Sequence, residues 1–489
     1  MPDMTENLAG QAVRGVAWTG LGQLLRQIIQ VTGSIALARL LAPDDFGVLG
    51  MALFFVGIGQ LLADFGIGSA LVQSRTDDRV VFSSCFWLNL AVAGVLAAAM
   101  VLASPLIADF YRRSDLAPVV AVLSLSLLLS GLLVVPTALL YKDMKFAHLA
   151  KAQVLGSLVG ALVAISLAWG GAGVWALVAQ PVAGNLVNLA VCMWSARWAP
   201  SFEFSWPRVA PLARFSMALL GTNLVGYANR NADSLLIGRF LGAGPLGVYA
   251  MAMQLMLYPL QQVSSVIVRV LFPTLVQIKD DLPRLRNAYL KAIAAIAFVT
   301  FPMMGGLFAV ADDFVFVVFG PKWSELAPLL KIVAWVGMMQ SVGTTMGTIY
   351  LSVGKPGIAL RVTLVAAPIL IGAMAAGLPW GIYGVAVGYT AASLALFYYT
   401  AITAFRLIDL RLGEFHAALY RPMAAALGMV VTVLLIAQLL APMFPWVRLA
   451  LAIFSGVVAY GLLSILINRQ QVKELFRHFG FLRPGADAH

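Results

Sequence analysis

Amide and charged side chains recur at helical spacing inside segments that are otherwise apolar enough to cross a bilayer. Gln23, Gln27, Gln30 and Ser34 step by 4, 3 and 4 through the first such segment, with Arg26 beside them. That spacing puts them on one face of a helix. Two hundred residues later Asn223, Tyr227, Arg230 and Ser234 repeat the register, flanked by Asn229 and Asp233. The second and eighth segments add Gln60 and Asp64, and Gln261, Gln262, Ser265 and Arg269. A charge at the bilayer centre opposes insertion by roughly 2.5 to 3.5 kcal/mol, so Arg26, Asp64, Arg230, Asp233 and Arg269 must face protein or water. If Arg230 pairs with Asp233 and Arg26 with Asp64, one guanidinium is still left over. Guanidinium stays charged at any relevant pH and grips phosphate oxygens bidentately. The residue types therefore point to an anionic substrate, a phosphate or diphosphate. Arg26, Arg230, Arg269, Gln23, Gln30, Asn223 and Asn229 are its expected contacts, and Asp64 and Asp233 the expected ion-coupling groups.

These residues need a membrane scaffold. Of 489 residues, 61% are hydrophobic and only 11% charged, against roughly 25% charged in soluble domains. Apolar stretches of about 20 residues, each able to cross the hydrocarbon layer, recur at 14–40, 46–71, 82–108, 117–140, 148–169, 174–196, 212–240, 246–275, 288–311, 325–352, 358–378, 381–404, 418–440 and 447–467. With the N-terminus placed inside, 22 of the 32 Lys and Arg residues fall on the cytoplasmic side and seven on the other. The positive-inside rule then puts both termini in the cytoplasm. The first eleven residues hold acids and no base, unlike a cleavable signal peptide. The net charge of +11 is topological, since no basic run is interleaved with exposed aromatics as nucleic-acid binding requires.

No connection is long enough for a soluble catalytic domain, so an enzyme is not expected. Cys85 and Cys192 sit in apolar segments without metal-ligand spacing and read as core. His148, His416, His478 and His489 lie in loops or the tail, away from paired carboxylates; neither a metal nor a cofactor is implied. Asp312, Asp313, Lys322 and Trp323 read as a solvated outer loop with an interfacial Trp anchor, and the connection 199–211, with Phe202, Phe204 and Trp206, as a segment in the headgroup layer. The tail's Val472, Leu475, Phe476 and Phe479 form one apolar face, which suits an interfacial helix or a solvated one equally. Gly-rich WGGAGVWALV and GIYGVAVG suggest close helix packing and hinges.

A self-comparison organises the chain. At a shift of 200, residues 36–52 align with 236–252, pairing Arg39/Arg239, Gly47/Gly247, Val48/Val248 and Met51/Met251; at 210 and 211, Leu-Ala-Pro 116–118 meets 326–328 and Trp169-Gly170 meets Trp380-Gly381. This predicts an all-α membrane protein of about fourteen spans. An N-terminal lobe covers 1–200, a C-terminal lobe 201–410, two further helices 411–468 and a cytoplasmic tail 469–489. With six spans per copy the lobes are related by a twofold axis along the membrane normal, the substrate path lies between them, and the two polar stripes face a shared cavity. Arg39 and Arg239, near outer helix ends, are expected to snorkel or cap.

The runs RGVAWTGLGQLLRQ, ARLLAPDDFGVLGMA, LADFGIGSALVQ and FGPKWSELAPLLKI resemble the polysaccharide transporter family. These are the Wzx-type lipid-linked oligosaccharide flippases, here closest to the colanic-acid exporter type, within the multidrug/oligosaccharidyl-lipid/polysaccharide exporter superfamily. The resemblance covers nearly the whole chain. It implies translocation of undecaprenyl-diphosphate-linked oligosaccharide to the periplasmic leaflet by alternating access. It also implies cationic residues serving the diphosphate, matched here by Arg26, Arg230 and Arg269, with membrane lipids and polysaccharide polymerase or assembly proteins as partners. The alternatives are a cation-coupled drug or metabolite antiporter of the same superfamily, a peptidoglycan-precursor flippase, and a membrane sugar polymerase, which would need an outer loop bearing acid/base groups.

Overall fold

The computed structural model describes residues 2–64, 68, 71–72, 78–210, 224 and 226–467, and among them every regular element is a helix. Ten helical runs among the described residues, or eleven with one bent pair counted as a span, are long and apolar enough to cross a membrane, one of them the 50-residue run Pro356–Phe405. The protein is an all-α, multi-pass membrane protein. Two compact units divide the chain, Met1–Gly247 and Val248–His489.

In the first unit α1 (Pro2–Leu40) leads into α2 (Pro43–Asp64), whose start is held by Asp45 accepting from Ala42 N at 3.0 Å. The acidic pair Asp44 and Asp45 also suits the positive end of the helix dipole. Asp78 caps α3 (Arg79–Tyr111) by accepting from Val80 N at 2.9 Å. The predicted span 117–140 is one membrane-length run, Leu116–Lys142, in which a single residue, Ser124, separates α4 (Leu116–Leu123) from α5 (Leu125–Lys142). Ser124 and Ser126 donate back to the carbonyls of Ala121 and Leu123, a local competition with the helix ladder that marks the break. α6 (Phe146–Trp169) and α7 (Val174–Ala196) are joined by a turn in which Gly171 and Gly173 adopt φ of +78° and +56°. The first Gly-rich stretch thus serves turn geometry and not the packing expected of it.

The predicted continuous span 212–240 is interrupted. Residues 226–230 are helical, Asn231 leaves the helix, and α8 (Ala232–Phe240) restarts it before α9 (Ala243–Gln277). Asn231 donates to the Tyr227 carbonyl through its backbone N at 3.1 Å, the last bond of that ladder, and through its side-chain Nδ2 at 2.9 Å, a local bond that competes with continuing the helix.

At the α2–α9 contact, a Cβ on Gly47 would lie 1.8 Å from the Ala243 carbonyl oxygen and one on Gly247 1.9 Å from that of Pro43. The contact is reciprocal in the 200-residue register, 47 on 243 and 247 on 43. Nearby, Arg113 bridges Asp44 at 2.8 Å and Asp115 at 2.7 Å, tying the start of α2 to the α3–α4 connection. Its hydrogen bond holds the Asp115 carboxyl below the ordinary value of 3.8. A carboxylate depressed on folding stabilises above its unfolded pKa and loses that contribution as pH falls through the folded value. Arg113→Ala should therefore lower the thermal midpoint at pH 7. The gap to the native protein should close progressively below pH 3.8, as a pH series in detergent would show.

Arg239 lies over the Phe110 ring at 5.6 Å. Cys85 and Cys192 are buried, as expected of core residues. In the connection after α7, Trp87 Nε1 donates to the Ser201 carbonyl at 2.8 Å and stacks on Phe202, while Ser84 Oγ accepts from Ser205 N. Phe202, Phe204 and Trp206 project outwards.

In the second unit Asp281 caps α10 (Leu282–Val318). Its neighbour α11 (Leu326–Gly343) breaks at Thr344 and Thr345, which donate to the Ser341 and Val342 carbonyls, before α12 (Met346–Ser352). The hairpin of α13 (Pro356–Gly377) and α14 (Gly381–Phe405) closes through glycine: a Cβ on Gly388 would lie 2.3 Å from the Ala373 carbonyl oxygen. That is the packing expected of GIYGVAVG. The last two helices, α15 (Leu412–Leu439) and α16 (Pro445–Ile467), pack on α10 through Met429, Val433 and Ala452 against Ala309 and Val310. His148 and His416 sit in the first turns of α6 and α15 and not in loops.

Of the expected outer surface loop, Asp312 and Lys322 are exposed but Asp313 and Trp323 are not. Trp323 is fully buried against Phe319, Asp313 is 8% exposed inside α10, and Asp312 accepts from Lys331 at 2.6 Å. Asp313 is held by Arg448 of α16, whose Nε donates at 2.7 Å. A strand of sequence rich in Asp and Lys looks solvated when its partner lies 135 residues away. Removing that partner leaves a buried charge, which costs on the order of 3 kcal/mol. Arg448→Ala should show this loss in unfolding measurements, and the double change with Asp313→Asn should recover most of it. The tail beyond residue 467, including its proposed interfacial face, lies outside the described residues.

Candidate functional site: an amide-lined pocket in the first unit

Helix α1 meets α6 through glycine and alanine. A Cβ on Gly22 would lie 2.7 Å from that of Ala150, and one on Gly33 3.3 Å from that of Ala161. Helix α6 meets α7 more closely still, since a Cβ on Gly156 would lie 2.7 Å from the Gly184 carbonyl oxygen and one on Gly160 2.6 Å from that of Gln180. This small-xxx-small crossing brings backbones together without side chains between them. Beside it opens a pocket of about 410 Å³, lined by Arg26 and Gln30 of α1, Leu49 and Leu53 of α2, Gln153 and Ser157 of α6, and Gln180, Asn185 and Asn188 of α7.

Arg26 lies fourteen residues before Leu40, the end of α1. At 1.5 Å per residue that is about 21 Å along the axis. Its Nη2 donates to Gln23 Oε1 at 3.2 Å, and among the described residues no carboxylate pairs with it. The structure thus brings Gln23, Arg26 and Gln30 together, three of the expected contacts. Within the described lining the guanidinium is the one charge, so the pocket is cationic. Gln27 has its Nε2 buried with no partner among the described residues.

The second polar stripe fares differently. Tyr227 donates to the Leu53 carbonyl at 3.0 Å, and a Cβ on Gly57 would lie 2.0 Å from its hydroxyl, so Tyr227 is spent on packing against α2 and does not extend a free polar face. Arg230, one turn on, is exposed. It makes no ion pair with Asp233, which instead accepts from Ser234 N at 2.7 Å. Asn229 has its Oδ1 buried without a partner among the described residues. Arg269 is exposed on α9, in the second unit, and Gln60 is exposed on α2. Asn223 and the side chains of Asp64, Gln261 and Ser265 lie outside the described residues.

Sequence reading missed Gln153, Ser157, Gln180, Asn185 and Asn188. A signal was present in the spacing: Gln153 and Ser157 are one turn apart, and Gln180, Gly184 and Asn188 step by four. Comparison of the repeats could not flag it, because the positions corresponding to Gln180, Asn185 and Asn188 are Ala391, Leu396 and Tyr399. The second unit accordingly holds an apolar cavity of about 800 Å³, with Trp335, Met338, Met339, Phe397 and Met423 in its wall and none of the expected site residues.

Residues 36–328 match the polysaccharide biosynthesis protein family. The chain is 31% identical over 332 residues to the succinoglycan biosynthesis transport protein ExoT of Rhizobium meliloti (strain 1021), covering 68% of this chain and 67% of that one. It is 28% identical over 395 residues to the lipopolysaccharide biosynthesis protein WzxC of Escherichia coli (strain K12), covering 78% of each. The fold is that of the lipid II flippase MurJ in an inward closed conformation, with a TM-score of 0.73 over 93% of this chain and 99% of that one at 14% identity. An all-helical, multi-pass scaffold and these matches agree: the chain belongs to the polysaccharide biosynthesis protein family, a family of membrane transporters and not of enzymes.

Proposed function

We propose that this protein is a lipid-linked glycan flippase, moving undecaprenyl-diphosphate-linked oligosaccharide repeat units from the cytoplasmic to the periplasmic leaflet. The observation that carries the reading is Arg26, a guanidinium with no carboxylate partner among the described residues, in a pocket of amides; in this reading it sits within the bilayer. Such a charge opposes insertion by roughly 2.5 to 3.5 kcal/mol; a diphosphate passing through would offset that cost by bidentate hydrogen bonding. Arg230 and Arg269, with Asn229, are the further proposed contacts for the head group, and Asp233 the proposed ion-coupling carboxylate.

Both termini lie in the cytoplasm in this reading, and Arg26 is exposed alternately to the two leaflets. Two negative charges moving outwards through an inside-negative potential gain roughly 4.6 kcal/mol at 100 mV, enough to bias export without a coupled ion. Cells lacking the protein should accumulate lipid-linked repeat units with their sugars facing the cytoplasm. Repeat units reaching the periplasm at the normal rate in such cells would refute the proposal.

A further inference from the structure

The amides of the first-unit pocket are unspent. Among the described residues Gln153, Gln180 and Asn185 make no side-chain hydrogen bond to protein, and Asn188 only accepts from the Cys192 thiol at 3.4 Å. All four are half-buried at the pocket wall. Each carboxamide carries two donors and an acceptor oxygen with two lone pairs, so together they present a dense, uncharged array of both kinds. Pro181, in the same wall, has no N–H for the Leu177 carbonyl one turn back, which leaves a further acceptor at the pocket.

A diphosphate has acceptors only and would leave the amide acceptors unanswered. A metal cation would need carboxylates or a carbonyl cage, and among the described residues the wall has no carboxylate. Vicinal hydroxyls, which donate and accept in alternation, match the array. The volume of about 410 Å³ lies at the small end of ligand pockets, roughly 300 to 1,000 Å³, and suits a short stretch of glycan, not a branched repeat unit. The α6–α7 glycine crossing fixes the spacing of the amides, which suits recognition more than non-specific passage.

We infer that this pocket is a subsite for the uncharged sugar next to the diphosphate, with Gln153, Gln180, Asn185 and Asn188 as its specificity-determining residues and Arg26 marking the diphosphate side. The inference rests on the flippase reading and names which part of the substrate the first unit reads. An amide site answered by hydroxyls discriminates strongly against a ligand lacking them, because its polar groups are then left unpaired.

The test uses the purified full chain and two probes: undecaprenyl diphosphate bearing one neutral hexose, and undecaprenyl diphosphate alone. Native protein should bind the hexose-bearing probe more tightly. Gln180→Leu and Asn188→Leu should each weaken that probe by roughly tenfold while leaving the bare diphosphate probe within about twofold. Asn185→Leu serves if either variant fails to fold. Equal weakening of both probes would make the pocket a diphosphate site, and no weakening of either would remove it from recognition; each result overturns the subsite and leaves the flippase reading standing. Native protein that binds neither probe would overturn both.

Discussion

Gly47→Val is expected to leave no folded protein in a detergent extract, and Gly247→Val to do the same. A Cβ at either position would sit under 2 Å from a backbone carbonyl oxygen of the facing helix. A helical backbone cannot yield as a flexible side chain can, so α2 and α9 would have to separate. Overpacking a core commonly costs 1 to 3 kcal/mol through displaced side chains and small backbone shifts, and separating two helices would exceed about 3 kcal/mol, a large share of the roughly 5 to 15 kcal/mol that holds a folded protein. Gly244, one turn before Gly247, has nothing within 4 Å of its added Cβ, and Gly244→Ala should fold normally. Size-exclusion profiles of the three variants check this. A folded Gly47→Val would mean that the close approach of these helices is not required.

Arg26→Ala should abolish export while leaving the protein folded, and should raise its thermal midpoint. The two effects share a cause. Placed within the bilayer as proposed, and with no carboxylate partner among the described residues, the guanidinium is a destabilising charge. Charge-assisted hydrogen bonds are worth roughly 1.5 to 3 kcal/mol each, and losing them should weaken diphosphate binding by roughly 10- to 100-fold. Arg26→Lys keeps the charge but not the planar fork, so it should restore part of the binding. Export in cells lacking the native copy, set beside melting of the purified variants, separates this from a structural role, in which stability and export would fall together.

Hydrophobic run length, charge bias and a repeat detectable through Arg39/Arg239 and Gly47/Gly247 made the all-helical membrane fold legible, because bilayer thickness and the need to satisfy backbone polar groups leave few solutions. What escaped was what depends on partners distant in sequence. Trp323 and Asp313 look like surface until Phe319 and Arg448 are beside them. Tyr227 looked like part of a polar stripe, yet its hydroxyl is committed to the Leu53 carbonyl. The interruption at Asn231 and the irregularities at Ser124 and Thr344 coincide with side chains bonding their own backbone, a local choice that hydropathy does not register. The first stripe was read from spacing, and Arg26 with Gln30 does line a pocket; the amides opposite were diluted by apolar neighbours in two separate spans.

Reconstitution is the most direct test of the idea that a membrane-buried guanidinium carries an anionic glycolipid head group across. Native protein in liposomes, given an undecaprenyl-diphosphate-linked oligosaccharide on one leaflet and an inside-negative potential, should deliver the sugar to the opposite leaflet. Liposomes holding Arg26→Gln at the same density should match protein-free ones. Equal delivery by the two proteins, or none by the native one, would contradict the account.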